Sequence, residues 1–418
     1  MTDSGPHSRI AFLRSRVFDG EAIRPGQLTV LVEDGLITGV DEGRPAPEGF
    51  EVIDLAGRTL MPGLIDAHFH CNSPDIDVAR ADAMSPSLMA QYARTYLEDA
   101  LDRGFTTVRD AAGADAGLVQ AIEKGLIRGP RLYVSGQALS QSGGHGDFET
   151  GFQICDCHGY SGYLTRVVDG VDEVRRQVRR TLRQGAHHIK LMMSGGILSP
   201  TDPIWMDQFS DEEVRAAVEE TARKRAYVMA HALNASSVRR CAALGVRSIE
   251  HGFQVDAETA AVVASSPSFL VPTLSIINAL SEPEAEMPDW AREKALVVVE
   301  GAFKAVEECV RAGVKLGFGT DLIGAFHGRE SNEFLLRGRV SPPLSVLRSA
   351  TSINAELMML AGEIGVVRPG ARADLIVVDG DPLADLHLLA EPSTGLSAVM
   401  KDGHFVRRSV SLGDEKGR

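Results

Sequence analysis

Two histidines one residue apart, His68 and His70, end an apolar run that has the composition of a β-strand. Residues two apart in a strand project from the same face, so the two imidazoles are predicted to point to one place. Adjacent imidazoles are a common metal-ligand arrangement, but an H-x-H pair by itself also occurs in ordinary protein cores. The prediction of a metal site therefore depends on whether further ligands follow.

Four more candidate ligands lie near the ends of later apolar segments. Lys190 stands inside the apolar stretch 187–193, where an unpaired ammonium group would be costly to bury. Each candidate taken singly has an ordinary explanation, such as a hydrogen-bonded core histidine, a lysine in a salt bridge or an aspartate that caps a helix. Their recurrence at successive strand ends favours one shared metal site. The other three candidates are His231, His251 and Asp321.

The elements that must position these residues form a repeating strand and helix pattern between about residues 60 and 362. Eight such units are typical of an α/β fold of the (β/α)8 TIM-barrel type, whose catalytic residues lie at the C-terminal strand ends. Helices are predicted over 87–103, 171–184, 211–225 and 289–312, the third with an N-terminal capping box at Ser210. The eight strands are predicted over 60–68, 105–110, 131–135, 187–193, 227–231, 248–251, 269–274 and 315–320.

Both ends of the chain show a different pattern, in which apolar and polar residues alternate and turn residues interrupt them. We therefore predict that residues 1–59 and 365–418 form one composite β-sandwich domain, and that residues 60–364 form the barrel domain. The short strands are predicted over 9–17, 27–33, 35–40, 51–54, 373–379, 397–401 and 404–407.

The composition excludes several classes of protein. The chain has 418 residues, 43 basic and 57 acidic, with a formal net charge of −14, which disfavours a nucleic-acid surface. No apolar run reaches membrane-spanning length, and no secretory signal is recognisable. The five scattered cysteines fit a reducing cytoplasm, and the segment 155–158 (CDCH) lacks a second pair at zinc-finger spacing. We expect a cytoplasmic, homo-oligomeric protein that acts on a small molecule.

The six candidate ligands resemble the pattern of the amidohydrolase superfamily. That pattern has H-x-H after strand one, a carboxylated lysine after strand four, histidines after strands five and six and an aspartate after strand eight. The stretch 365–375 resembles the return of the family's chain into its β-sandwich. The motifs at 61–70 (MPGLIDAHFH), 142–147 (SGGHGD) and 189–196 (IKLMMSGG) resemble the branch related to imidazolonepropionase. They resemble more closely its metal-dependent Xaa-Pro dipeptidases and carboxypeptidases.

The resemblance implies a binuclear metal site in which Lys190, converted to a carbamate by carbon dioxide, bridges two divalent ions. Zinc is the expected metal for nitrogen and oxygen ligands, with manganese and cobalt as alternatives. A hydroxide shared by the two metals would attack the amide carbonyl, and Asp321 would carry the proton to the leaving amine. The other ligands would be His68, His70 and Asp321 for the more buried ion, and His231 and His251 for the second.

Four further residues are candidates for contact with the substrate. By resemblance, His145 would touch the tetrahedral intermediate, with an ordinary surface histidine as the alternative. Tyr227 would hydrogen-bond the same oxyanion or a substrate carboxylate, or simply pack in the core. His327 and Arg329 follow Asp321 in a glycine-containing loop, where Arg329 would bind a carboxylate or remain a solvated charge.

The favoured interpretation is an amide-cleaving dipeptidase or carboxypeptidase that acts on dipeptides or N-acyl amino acids. The enzyme alternatives are an imidazolonepropionase-like hydrolase of cyclic amides and a deaminase. Mononuclear deaminases of the superfamily carry a glutamate shortly after the strand-five histidine and no ligand lysine, whereas here Lys190 is present and His231 is followed by 232–234 (ALN). A non-catalytic barrel scaffold is the alternative of another class, but none of the six candidate ligands is degenerate.

Overall fold

The computed structural model describes residues 9–148, 163–409 and 412. The segment 155–158 (CDCH) lies outside these residues, so no zinc prediction is tested there. The chain groups into two compact units. The first comprises Met1–Asp66, Glu98–Thr107 and Ser331–Arg418, and the second comprises Ala67–Leu97 and Val108–Glu330. The domain boundaries at 59/60 and 364/365 stay a prediction.

The strands of the described residues fall into three sheets. In chain order they are β1 (Arg9–Val17), β2 (Leu28–Glu33), β3 (Leu36–Glu42), β4 (Glu51–Asp54), β5 (Thr59–Pro62), β6 (Leu64–Phe69), β7 (Phe105–Asp110), β8 (Arg131–Tyr133), β9 (Ala138–Ser140), β10 (Thr165–Val167), β11 (His188–Met192), β12 (Tyr227–Ala232), β13 (Ser248–His251), β14 (Phe269–Val271), β15 (Leu375–Val378), β16 (Leu396–Lys401) and β17 (His404–Arg408).

Helices alternate with the strands through the middle of the chain. Among the described residues, no helix is both long and apolar enough to cross a membrane. The α-helices are α1 (Val78–Asp82), α2 (Pro86–Asp102), α3 (Ala116–Glu123), α4 (Val171–Arg183), α5 (Asp211–Ala222), α6 (Ala235–Ala243), α7 (Ala257–Ala264), α8 (Leu274–Ser281), α9 (Asp289–Ala312), α10 (Asn332–Gly338), α11 (Pro343–Arg348), α12 (Asn354–Leu357), α13 (His387–Ala390) and α14 (Pro392–Gly395).

One sheet combines strands from both ends of the chain, in the order β17-β16-β15-β5-β1-β2-β3, with β4 paired to β1. Its core is apolar and buried, with Phe12 and Ile53 among the residues that fill it. The single predicted strand over 60–68 is wrong, because Gly63 divides it into β5, which joins this sheet, and β6. A Cβ on Gly63 would lie 2.1 Å from the side-chain oxygen of Thr106, so the chain passes too closely there for any side chain.

In the other two sheets, the pairings among β9 to β14 are all parallel. Together with the intervening helices they confirm the predicted α/β class. The larger has the order β10-β9-β11-β12-β13-β14, and the smaller has the order β6-β7-β8. Every residue of β11, β12 and β13 is buried, as expected for parallel strands covered on both faces. These strands therefore deliver their last residues to a common edge.

The four helices predicted from local signals are all present, as α2, α4, α5 and α9. The helix predicted over 289–312 has these same ends, and it stops at Gly313, whose φ of 76° is unfavourable for a side chain. The capping box is present, since Ser210 accepts a hydrogen bond from the Glu213 amide and Glu213 accepts one from the Ser210 amide. The eighth predicted strand, over 315–320, is absent from the strands described. An isolated bridge pairs Leu316 with Leu270, and Phe318 accepts a backbone hydrogen bond from Ala67, so the segment contacts two strands without forming a continuous ladder.

Candidate metal centre

A cluster of two histidines and one aspartate forms the centre of the site. His68 is the fifth residue of β6, His70 follows that strand, and Asp321 follows the segment of the predicted eighth strand. The Nε2 atoms of His68 and His70 lie 3.2 and 2.9 Å from Oδ1 of Asp321. One ligand atom from each of the three residues lies within 4.8 Å of the others. The structure thus brings together three of the six predicted ligands in a compact donor set.

His251 and His231 extend this cluster. The ring centroids of His251 and His68 are 4.9 Å apart, and those of His231 and His251 are 4.7 Å apart. Nδ1 of His251 lies 2.8 Å from the hydroxyl of Thr273 and 3.7 Å from Oδ2 of Asp321. Both histidines come from the C-terminal ends of neighbouring parallel strands, β12 and β13. The strand-end placement predicted from the sequence therefore holds for both.

Two of the candidate ligands have an unusual backbone conformation. His251 has a φ of 73° and Asp321 a φ of 57°, in the left-handed region that few residues other than glycine adopt. The Asp321 amide is held by a 2.7 Å hydrogen bond to the carbonyl oxygen of His68. Such conformations typically cost about 1–3 kcal/mol each and concentrate at functional sites. They aim both side chains into the cluster, where ordinary strand geometry would turn them elsewhere.

Lys190 is the central residue of β11, and only 2% of its surface is exposed. Burial lowers the pKa of its amine to about 8, although the carboxylates of Glu250 and Asp321 favour the charged form. The neutral amine is therefore a minor form at neutral pH, but a far larger one than for an exposed lysine. The side chain lines the same cavity as the five other candidates.

The protonation states of the cluster suit a metal ion. Burial is the main cause that lowers the pKa of His70, His231 and His251, which favours the neutral imidazole that a metal requires. Burial alone would raise the pKa of Asp321, but the neighbouring histidines, with His68 foremost, hold it well below its usual range. His68 is the exception, because burial and the Lys190 charge oppose its protonation but Asp321 and Glu250 outweigh them and raise its pKa. The other imidazoles and the ionised carboxylate fit a divalent ion such as zinc, which would displace the proton of His68.

Sequence reasoning missed the buried residues that hold His68 in place. Nδ1 of His68 lies 2.8 Å from Oε2 of Glu250, and Arg109 donates a 3.0 Å hydrogen bond to the other oxygen of that carboxylate. Burial would raise the pKa of Glu250, but Arg109 and His68 lower it to about 2. The only sequence signal is a charged residue inside each of two apolar strands, β7 and β13. That signal does not reveal which residues pair.

His145 lies against the cluster, as the sequence predicts. Its ring stacks on the His231 ring at 4.3 Å between centroids, with 25° between the planes. Its Nδ1 atom lies 2.6 Å from the Ser199 hydroxyl and 3.3 Å from Oδ2 of Asp202. A Cβ on Gly196 would come within 2.0 Å of the imidazole, so this glycine makes room for the ring.

The structure places the three other predicted substrate residues away from the described cavity lining. Tyr227 is the first residue of β12 and stacks on His188 at 5.5 Å, a placement that favours the packing alternative. His327 stacks on Tyr96 at 3.7 Å, and its Nε2 lies 3.0 Å from the carbonyl oxygen of His70. Arg329 forms a partly exposed 2.8 Å ion pair with Glu282, which favours the alternative of a surface charge.

A cavity opens beside the cluster. All six candidate ligands and His145 line it. The remaining described lining residues are largely apolar, with Ser73 and Thr165 as the polar exceptions. The apolar ones are Val78, Ala112, Phe148, Leu164, Met192, Ile197, Leu198, Leu233, Phe253, Ile276, Leu280 and Ile323.

Comparison with known proteins agrees with this fold and site. The model of the amidohydrolase family matches residues 59–406, so the chain belongs to that family. The ochratoxinase of Aspergillus niger is 33% identical over 411 residues, which cover 93% of this chain and 84% of that enzyme. The chain is a hydrolase that acts on carbon–nitrogen amide bonds.

Two solved structures are similar along nearly the whole chain. A prolidase complexed with N-methylphosphonate-L-proline is 39% identical, with a TM-score of 0.93, covering 96% of this chain and all of that one. A Xaa-Pro dipeptidase with bound methionine is 29% identical, with a TM-score of 0.86 and the same coverage. The resemblance to dipeptidases inferred from the sequence motifs is confirmed.

Proposed function

We propose that this chain is a binuclear, metal-dependent dipeptidase or carboxypeptidase that cleaves the amide bond of dipeptides or N-acyl amino acids. The observation that carries the proposal is the convergence of the six candidate ligands on one cavity that His145 also lines. Similarity to a prolidase and to a Xaa-Pro dipeptidase adds support.

In the proposed architecture the two parallel sheets close into a (β/α)8 barrel over residues 60–364, and residues 1–59 and 365–418 form a composite sandwich. Support for closure comes from backbone hydrogen bonds at the sheet edges. The His187 amide donates to the Val134 carbonyl at 2.8 Å, and the Ala67 amide donates to the Phe318 carbonyl at 2.9 Å. The Gly317 amide likewise donates to the Leu270 carbonyl at 2.9 Å.

Two divalent ions, zinc in the first instance, would lower the pKa of water and polarise the scissile carbonyl. His68, His70 and Asp321 would hold one ion and His231 and His251 the other. Lys190 would bridge them as a carbamate, and its lowered pKa supports this because only a neutral amine adds to carbon dioxide. A carbamate would also supply the negative charge that a pair of cations needs in a buried site.

The chain's own residues would then move the proton and hold the substrate. The Asp321 carboxylate, ionised at neutral pH, would accept a proton from the attacking water and deliver it to the leaving amine. In the tautomer whose Nδ1 accepts the Ser199 hydroxyl proton, the Nε2–H of His145 would donate to the carbonyl oxygen as charge develops there.

The residues that line the cavity limit the range of substrates that we propose. Apart from the candidate ligands, the polar residues among the described lining are His145, Ser73 and Thr165, and Thr165 donates its hydroxyl to the Gly146 carbonyl at 2.6 Å. Apolar walls of this extent favour a substrate with an apolar side chain or acyl group on at least one side of the amide. Cys71, Cys241 and Cys309 are thiols rather than disulfide-bonded, as the proposed reducing cytoplasm requires. Homo-oligomeric assembly stays a prediction.

The test is hydrolysis by protein reconstituted separately with zinc, manganese and cobalt in bicarbonate buffer. A library of dipeptides and N-acyl amino acids, with cyclic amides and aminopyrimidines included, would be followed by chromatography of the products. Metal content would be measured on the same samples by mass spectrometry, with two ions expected for each chain. Cleavage of cyclic amides alone, or release of ammonia alone, would refute the proposed substrate class.

A further inference from the structure

Lys294 lies in the second turn of α9 and uses its ammonium group in an unusual way. Its Nζ donates hydrogen bonds to three backbone carbonyls, those of Gly196 at 2.9 Å, Ser199 at 2.7 Å and Asp202 at 2.9 Å. An ammonium has three donors, so all of them are committed to this one segment. Its charge also lies 5.6 Å from the ring of Trp290, one helical turn earlier.

The segment that Lys294 holds, residues 194–203, will be called the β11–α5 loop. It follows β11, the strand of Lys190, and carries the two side chains that contact His145 through Nδ1, Ser199 and Asp202. Its residues 197 and 198 form part of the apolar cavity wall. This loop therefore determines both the orientation of one imidazole and the shape of one side of the cavity.

The conformation of the β11–α5 loop depends on where the Asp202 carboxylate lies, because contacts within the loop converge on it. The Gly196 amide donates to Oδ2 of Asp202 at 2.9 Å, and the same oxygen lies 3.3 Å from Nδ1 of His145. Lys294 binds the carbonyl oxygens at both ends of this arrangement, at Gly196 and at Asp202. Without the ammonium group, these carbonyls lose a charged donor and the loop loses its link to α9.

We infer that Lys294 is a positioning residue, which fixes the β11–α5 loop and through it the orientation of His145 and the apolar wall of the substrate site. Its effect on the loop is a property of the fold, whereas its effect on turnover rests on the proposed function. The hydrogen bonds of Lys294 go to carbonyls of this loop and not to a candidate metal ligand. The loop itself contacts one ligand, since the Gly195 carbonyl lies 3.3 Å from Nε2 of His231, so metal content is measured beside turnover in every variant.

The test compares Lys294→Met with Lys304→Met, a matched change at an exposed lysine of the same helix. Hydrogen–deuterium exchange of metal-loaded protein without substrate should be faster in residues 194–203 of Lys294→Met than in wild type. Exchange in α9 should be unchanged, and Lys304→Met should match wild type throughout. Lys294→Gln, which retains one donor group, should be intermediate and serves if the methionine variant does not fold.

A kinetic measurement separates positioning from a merely structural role. With a good apolar substrate, Lys294→Met should lower kcat/KM by ~10-fold or more at unchanged metal content, since small displacements of positioned groups have effects of that size. Combining it with Ser199→Ala should cost less than the product of the separate losses, because both changes act through His145. Loop exchange equal to wild type in the variants, or an equal rise in the loop and in α9, would overturn the inference. Faster loop exchange in a protein whose wild type cleaves no amide would overturn only the proposed function.

Discussion

Nδ1 of His68 donates a 2.8 Å hydrogen bond to Oε2 of Glu250, and the two side chains are 1% and 0% exposed. This bond fixes the tautomer of His68 and leaves its Nε2 directed at Asp321, 3.2 Å away. Arg109 holds the opposite oxygen of the same carboxylate at 3.0 Å, so the glutamate remains ionised in a fully buried setting. Such a carboxylate behind a ligand histidine orients the ring and increases its basicity.

Glu250→Gln is expected to weaken metal binding. An amide cannot replace the charged acceptor of the His68 proton, and it leaves the Arg109 charge without its partner. The loss in affinity should be roughly 10- to 100-fold, the usual effect of removing a partner of a ligand histidine. Competition with a chromophoric chelator measures this directly. The control is Glu219→Gln on α5, whose exposed carboxylate pairs with Arg175. Wild-type affinity in folded Glu250→Gln would contradict the orienting role.

The burial of Lys190 predicts a specific pH dependence of stability in metal-free protein. Its pKa is about 8 in the folded state against a model value of 10.5, so between these values the unfolded chain binds more protons than the folded one. Stability of the apoprotein should therefore increase as pH rises from about 8 to 10.5, and the full penalty is present below that window. Lys190→Met should lack this dependence.

The measurement is urea unfolding of both metal-free proteins in buffers purged of carbon dioxide. The stability advantage of Lys190→Met over wild type should shrink by roughly 3 kcal/mol across the window, from 1.36 kcal/mol for each pKa unit. Parallel curves for the two proteins would show that Lys190 titrates normally. In bicarbonate buffer with metal, wild type should be more stable to urea than Lys190→Met, because only wild type would retain a bridging ligand.

The histidine and aspartate ligands could be predicted because they lie at or near the ends of apolar runs, and strand ends in parallel sheets meet at one edge. Lys190 was recognisable for another reason, as a lysine in the middle of an apolar strand. Strand-end reasoning does not reach His145, which is proposed from the resemblance of its glycine-flanked motif and whose ring lies against that of His231. It fails for Tyr227, four residues before His231, because distance along the strand carries that ring away from the C-terminal edge. The spacing to His231 assigns Tyr227 to β12, but as the first residue of that strand it lies at the end opposite the cluster.

The buried residues that hold the candidate site in place could not be predicted from the sequence. Glu250 and Arg109 lie on strands far apart in sequence, and their ion pair depends on how the chain folds back on itself. Lys294 gives even less signal, since a lysine on an amphipathic helix is ordinarily solvated. The division of the first predicted strand at Gly63 was also unpredictable, because it reflects a close approach to Thr106 in the folded unit.

Asp321→Asn is expected to preserve the fold and most of the metal while removing proton transfer. An amide has nearly the shape of a carboxylate but is a far poorer base, so kcat should fall by ~100-fold or more. Steady-state kinetics at saturating substrate measures the loss, with metal content determined on the same sample. Asp207→Asn is the control, since that carboxylate accepts a 2.6 Å hydrogen bond from Ser236. An unchanged kcat would exclude Asp321 as the proton carrier.

The last prediction concerns recognition of a free carboxylate next to the scissile amide. Of the four donors proposed from the sequence, His145 is the one that lines the described cavity, so this imidazole would have to serve the adjacent carboxylate as well as the scissile carbonyl oxygen, together with the metal cluster. Amidating the C-terminus of a good dipeptide substrate removes the charge and leaves donors unpaired, which should lower kcat/KM by ~100-fold or more. Acylating the N-terminus should matter less, because apolar residues form most of the remaining wall. The comparison needs both substrate forms with wild type and with His145→Asn, in which the preference for the free acid should shrink. Equal turnover of the amidated and free-acid forms by wild type would refute carboxylate recognition and favour lactam or other cyclic-amide substrates.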